Sequence, residues 1–540
     1  MLASLFLASA LLFMGYACYS LHTLLCKVRP LGIPYFVIPF YPSPLPRVFL
    51  LPLMKLIIKV FGLTHHWFFL LTLNWQVHQR YKIYRLLESD IFFTVTPWEV
   101  ILHVADPDMA VEVLAGKGEN GELYPKTEVV SRMMGLFGKN VLTVEGAVWR
   151  GHRKVTAPII GKSLSIVWEE ALTQIGQMIQ YYDKNEAINT SHRDFRRATL
   201  GIIAHAGFSK IMNWVPLTTA IANEKDGEGS YQKCLDILFE NFKWTVIAPS
   251  WLLEILPFRA SREAGGAAKG FRRFINEWFE EKKAKIELDN NTGPRPSSRT
   301  DLMESLVRNS GLDKGSTLET PLLSKSEVIG NAFMFILAGH ESTGHTIANA
   351  IYFLAMYPEY QVKLQNEIDS ILGDSDHNQT TYNTHFDTFS SGWIAAIMFE
   401  TLRLIPAVVV VTRQIGPVPA PSLAQVAEDL SRSPPVLNSG SNLSAWLKTQ
   451  NTGPSPGKLK PNLQSPNSGL NAGSRNQEGI PWLFREMSVE FDSCGGRKTF
   501  DEARRECLAE MDKFATVITL RPSAEMPGIK WVRRKKGVAA

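Results

Sequence analysis

The chain is poor in cysteine. Its five, Cys18, Cys26, Cys234, Cys494 and Cys507, are odd in number and scattered over 540 residues, which excludes a disulfide scaffold and suits a body that faces the cytosol. It also lacks a charge excess. Lys and Arg number 57 against 52 Asp and Glu, a net +5, too little to argue for a nucleic-acid binder. No internal repeat is visible. Apolar residues at 45% and charged residues at 20% are the balance of a globular protein with a large core, so wholesale disorder is excluded. By length the prior is about three to four domains, and one large α-rich enzyme domain fits equally well.

A local absence says more. From Leu2 to Cys26 there is no Asp, Glu, Lys or Arg, and a helix needs ~20 apolar residues to cross a bilayer. Lys27 and Arg29 follow at once, so the positive-inside rule puts the body on the cytoplasmic side. A cleaved signal peptide fits less well, because the run is longer than an h-region and has no basic start. Residues 1–26 therefore read as a single-pass transmembrane anchor. Residues 27–48 carry Pro30, Pro34, Pro39, Pro42, Pro44 and Pro46 and read as a stiff proline-rich hinge, since proline fixes φ and removes a donor. Phe49–Leu73 is apolar but interrupted by Lys55, Lys59, His65 and His66, the pattern of a helix lying in the membrane interface.

The body reads mostly helical. Helical periodicity runs through Ile166–Tyr182, Tyr231–Phe242 and Phe271–Ile286. The longest stretch, Lys325 to Tyr357, opens on the capping-box pattern Ser324-Lys-Ser-Glu327 and stops before Pro358; it spans ~50 Å at 1.5 Å per residue. Strand-like pieces are short: Phe92–Thr96, Val100–Val104 and Ala407–Thr412. Residues 416–482 differ. Gly, Pro, Ser and Asn make up 34 of the 66 residues from Gly416 to Pro481, and Trp446 is the only aromatic there. Such a segment buries too little apolar area to offset its ordering entropy, so by itself it reads as a disordered insert.

Three short patterns carry chemistry. The long helix contains Ala338-Gly339-His340-Glu341-Ser342-Thr343-Gly344-His345, a polar notch between apolar turns. Buried carboxylates and hydroxyls cost energy unless partnered, and the glycines allow close approach of another group. His340-Glu341 looks like the start of a zinc-protease motif, but that motif needs histidines four apart; His345 stands five on, about 140° around the helix, which rejects a shared metal and a metal-dependent hydrolase. Glu400 and Arg403 are three apart and pair on one helix face. Upstream, Trp149-Arg150-Gly-His152-Arg153-Lys154 crowds basic groups beside an indole, a composition suited to a carboxylate or phosphate. Each has a bland alternative: a solvated stripe, an ordinary helix pair, a solvated basic turn.

In this order, behind that anchor, the three patterns resemble the cytochrome P-450 enzymes, haem-thiolate monooxygenases, in their membrane-anchored eukaryotic and, by general look, fungal class. The resemblance covers Leu31 to Arg413 and resumes near Leu483. It implies a mainly α fold with small β-sheets behind the N-terminal transmembrane helix, its haem domain formed by residues 49–415 and 483–540. It implies heme b as cofactor, NADPH electrons through a flavoprotein reductase, a lipophilic small-molecule substrate of secondary-metabolite or lipid metabolism, and an endoplasmic reticulum membrane location. By resemblance, Trp149 and Arg153 contact a haem propionate. Ala338 and Gly339 line the groove over the haem, Glu341, Ser342 and Thr343 activate oxygen, and Glu400 with Arg403 form a structural pair. Ser342 stands where the family usually has Thr.

The family's cysteine loop, F-x-x-G-x-R-x-C-x-G, is not matched in full. Cys507 has Phe500 and Arg505 correctly spaced, with Ala503 and Ala509 at the glycine positions, inside a segment that reads as a charged helix. Cys494 has Gly496 after it but not the residues before it. A third reading takes Leu483–Phe491 as the end of the helix that follows the loop. The segments around Glu502, Ile518–Pro522 and Trp531–Arg534 are then closing strands, and 416–482 replaces or interrupts the haem loop, as a misread splice junction would do. The iron ligand is thus Cys507, Cys494 or absent, and the alternative to an enzyme is a catalytically dead, membrane-tethered binding or scaffold homologue.

Overall fold

The computed structural model describes residues 2–39, 68–71, 75–79, 81–115, 124–160, 164–183, 191–214, 227–292, 301–312, 322–373, 381–415, 487–491, 502, 505, 507, 515–516, 520–521 and 529–534. The low-complexity stretch 416–482, Cys494 and most of the interfacial-helix candidate 49–73 lie outside them. The chain divides into two units, Met1–Pro125 with Arg413–Pro454, and Lys126–Thr412 with Ser455–Ala540.

The first unit begins with α1 (Leu2–Val28). Among the described residues this is the one helix long and apolar enough to cross a membrane, its Leu7–Leu31 window unburied. Phe13 and Tyr16 on it meet the Trp98 ring at 5.3 and 6.3 Å. The expected hinge is not a bare connector in its described half. Pro30 opens a 3-10 turn, Gly32 takes φ +67, and Tyr35–Val37 forms β1. The sheet runs in order β1, β2 (Ile91–Val95), β3 (Val100–Val104), with β1 parallel to β2 (Tyr35 opposite Phe93) and β2 antiparallel to β3 (Ile91 opposite Val104). Phe92 packs with Ile38, Leu70, Trp75 and Ile83, while Phe93 and Val95 pack with Val28 on the other face. Burial on both faces explains why β2 reads as an apolar run broken only by Thr94.

The second unit is helical: α2 (Gly146–Ile160), α3 (Leu164–Tyr182), α4 (Ser191–Phe208), α5 (Gly227–Glu240), α6 (Arg259–Thr292), α7 (Leu302–Ser310), α8 (Lys325–Met356), α9 (Pro358–Leu372) and α10 (Trp393–Leu404), with further helices between them, among them Tyr382–Ser391. Its core gathers Leu235, Phe271, Ile275, Met303, Leu306 and Phe333 from α5 to α8. The capping box of α8 forms as its sequence predicts: the Ser324 amide donates to Glu327 Oε2 at 2.8 Å and the Glu327 amide to Ser324 Oγ at 3.3 Å. The helix is buried nearly all round, as a central helix must be.

Three local expectations are corrected. Ala407–Thr412 forms no strand; its β-branched run leaves Val408 60% exposed. The presumed helix end before Phe491 is strand β4 (Met487–Phe491), antiparallel to β7 (Ile529–Arg533), with Val489 opposite Trp531. Glu502 stands with Arg505 and Cys507 in helical conformation rather than in a closing strand. Ala515–Thr516 (β5) pairs with Leu520–Arg521 (β6), so the last expected strands do form.

Candidate active site

The notch of α8 opens on one face. Ala338 is exposed and Phe335, Gly339 and Ser342 are half-buried, whereas the turns around them are buried. At 100° per residue these four share a sector about 100° wide. A flat, small-residue window therefore interrupts an otherwise enclosed helix. Glu341, 4% exposed, and the buried Thr343 flank the window on opposite sides, each about 100° from Ser342 and about 160° from the other. Thr343 therefore stands apart from the carboxylate. The Ser342 hydroxyl donates to the Ala338 carbonyl, a back-bond that commits its proton and leaves its lone pairs. Behind the window α4 crosses α8. A Cβ on Gly344 would lie 2.8 Å from Arg196 Cα, and Thr199 donates to the His340 carbonyl at 2.9 Å. His340 is buried and stacked on Phe239 at 5.2 Å. Burial, then the nearby Arg196 charge, holds its imidazole well below the ordinary histidine range, so it stays neutral.

The basic cluster on α2 splits into two faces. Arg150, Arg153 and Lys154 are exposed, and Trp149 is half-buried. Arg153 lies over the Trp149 ring at 5.1 Å, and Lys126 reaches the same ring at 5.9 Å. Lys126 also donates to the Val141 and Val144 carbonyls at 3.1 and 2.8 Å. Sequence reasoning missed Lys126, whose signal is a lone lysine after Tyr124-Pro125. It also counted His152 among the anion-facing groups, but that side chain is fully buried. Glu400 and Arg403 form the expected pair on α10: Nε and Nη2 of Arg403 donate to the two carboxylate oxygens at 2.7 and 2.8 Å.

A haem at this site needs cations for its propionates, a flat helix face above its plane and a sulfur ligand. Lys126 and Arg153, both over the Trp149 ring, suit the first, and Ala338 with Gly339 suits the second. For the third, Cys507 is the described cysteine with Phe500 and Arg505 at the family's spacing. It is fully buried in helical conformation. Cys234 packs against Gly270 of α6, and Cys18 and Cys26 are exposed on α1.

Comparison with known proteins places these features in a family. The family described as Cytochrome P-450 matches residues 62–416. A cytochrome P-450 monooxygenase, ORF6, of Penicillium roqueforti is 23% identical over 513 residues, covering 92% of this chain and 86% of its own. The monooxygenase prx9 of Penicillium rubens is 22% identical with the same coverage. A cytochrome P-450 crystal structure superposes with a TM-score of 0.56 at 16% identity, covering 85% of this chain and 94% of its own, which is a likeness of fold.

Proposed function

Because the chain belongs to the cytochrome P-450 family, we propose that it is a membrane-anchored form of that haem-dependent monooxygenase, inserting one oxygen atom from O2 into a lipophilic small molecule. Thiolate-ligated haem, when bound, supplies O–O cleavage. The open face of α8 carries the proposal: a flat window of small residues with one buried carboxylate beside it. In this reading Ala338 and Gly339 lie against the haem face, and Phe335 with the apolar turns around it contributes to a dry wall for an apolar substrate. Glu341 holds a proton at its carboxyl group, and Ser342 accepts or passes one at Oγ, the roles of a short relay from solvent. Arg153 and Lys126, braced on Trp149, hold the propionates by charge-assisted hydrogen bonds. Glu400 and Arg403 hold local structure. Residues 1–26 anchor the chain in the endoplasmic reticulum membrane with its body in the cytoplasm, and residues 49–415 with 483–540 form the haem domain. An NADPH-dependent flavoprotein reductase supplies electrons. The substrate in this reading belongs to secondary-metabolite or lipid metabolism.

The test is coupling. In haem-loaded protein, Glu341→Gln with Ser342→Ala should consume electrons while forming less product per electron. Unchanged product per electron removes the relay assignment.

A further inference from the structure

His152 is the odd member of the basic run on α2. Its side chain is 0% exposed while Arg150, Arg153 and Lys154 face solvent. A buried imidazole needs partners, and its partners lie on another helix. Nδ1 is 2.9 Å from Asn331 Nδ2, and Nε2 is 3.5 Å from Glu327 Oε1. The amide orientation of Asn331 is set by its other contacts: Oδ1 accepts from the Val141 N–H at 2.9 Å, and Nδ2 donates to the Glu327 carbonyl at 2.8 Å. Nδ2 is therefore the donor to His152, so Nδ1 accepts and the ring proton sits on Nε2, 3.5 Å from the Glu327 carboxylate. Partial burial pushes the Glu327 carboxyl up, but hydrogen bonds from Ser324 and the facing His152 outweigh it and hold it below its ordinary value.

The same network reaches the cations over the indole. Val141, whose N–H binds Asn331, offers its carbonyl to Lys126. The loop is clamped on α8 by close backbone approach: a Cβ at Gly330 would lie 2.5 Å from the Lys139 carbonyl oxygen. On α2, His152 points about 60° from Trp149 and about 100° from Arg153. It thus fixes the rotation of the helix without facing the anion. With a side-chain radius of ~5–6 Å, a 10° turn of α2 displaces the Arg153 head by about 1 Å, enough to spoil a charge-assisted hydrogen bond.

We propose that His152 is a positioning residue: through Asn331 and Glu327 it sets the rotation of α2 on α8, and so the placement of Trp149, Arg153 and Lys126 toward the haem propionates. This rests on the propionate reading of Trp149 and Arg153 above. The full chain, prepared without haem, is titrated with ferric haem and with its propionate dimethyl ester, following the absorbance of the bound tetrapyrrole. Unfolding midpoints are measured alongside. Wild type should prefer haem to the ester by about tenfold or more, the scale of a charge-assisted hydrogen bond. Arg153→Ala should abolish that preference. His152→Leu should also abolish most of it, with ester affinity unchanged, and His152→Gln, whose amide oxygen can accept from Asn331, should restore it.

If Arg153→Ala keeps the preference, or wild type binds neither ligand, the propionate reading fails and takes this proposal with it. If Arg153→Ala loses the preference and His152→Leu keeps it, the positioning role alone is refuted. Equal weakening of haem and ester by His152→Leu shows a structural residue only and also refutes it. Should His152→Leu not fold, Glu327→Gln retains the capping box and removes the charge facing Nε2. A reduced preference for haem supports the proposal, and an undiminished one overturns it.

Discussion

Substituting Gly344 by Ala probes the crossing that backs the window. The new Cβ would lie 2.8 Å from Arg196 Cα and 3.0 Å from its N and Cγ. Carbon contacts are comfortable at ~3.5–4.0 Å, so α4 must retreat by about 1 Å. Two of these three atoms are backbone and cannot swing aside. Overpacking of this kind costs ~1–3 kcal/mol. Retreat also stretches the 2.9 Å bond from Thr199 to the His340 carbonyl, worth ~1 kcal/mol. Alanine returns at most ~1 kcal/mol of helix propensity. The net expectation is a loss of about 1–3 kcal/mol. Gly176 on α3 is the control: nothing lies within 4 Å of its added Cβ, so Gly176→Ala should stabilise by about 0.5–1 kcal/mol. Urea unfolding followed by tryptophan fluorescence reads both as midpoint shifts at constant slope. A Gly344→Ala protein as stable as wild type, or both variants shifting the same way, refutes the reasoning.

Arg403→Ala should cost ~3–5 kcal/mol, because it strands a carboxylate in the interior; Glu400 and Arg403 are only 9% and 11% exposed, and wild-type stability by urea titration would show that the pair does little. Burial lowers His103, stacked on Phe92, to about 4, whereas unfolded histidine titrates near ~6.5. The unfolded chain therefore binds the extra proton between these values, so stability is full above ~6.5 and falls as pH drops toward about 4. His103→Phe should flatten that part of the pH profile, and an unchanged profile counts against it. Cys507→Ser should abolish the thiolate-type band of the reduced, carbon monoxide-bound protein, since Cys507 is the buried cysteine with Phe500 and Arg505 at the family's spacing; a band that survives excludes Cys507. Loss of a thiolate-type band with haem retained would make Cys507 the ligand.

What was legible in the sequence was local. The capping box, the helical period and Pro358 delimit α8 because each acts within one or two turns. The Glu400–Arg403 pair follows from three-residue spacing on a single helix. The alternation of burial around the notch was only half legible: the polar letters mark the place, but the face that opens depends on which sides α4 and α5 cover. His152 was illegible for the same reason. Its partner Asn331 lies 179 residues away, and nothing between Trp149 and Lys154 says which side chain turns inward. Met487–Phe491 reads as a helix end until Ile529–Arg533 supplies the facing ladder, and Ala407–Thr412 shows the converse, strand-like residues with no such partner among the described residues.

The most direct test of the account is haem binding itself. The full chain is expressed with haem supplied and purified from membranes, its haem-to-protein ratio determined, and its spectrum recorded after reduction under carbon monoxide. The account predicts close to one haem per chain and a thiolate-type carbon monoxide band. A folded, membrane-bound chain that carries no haem, or that shows no such band, would contradict it.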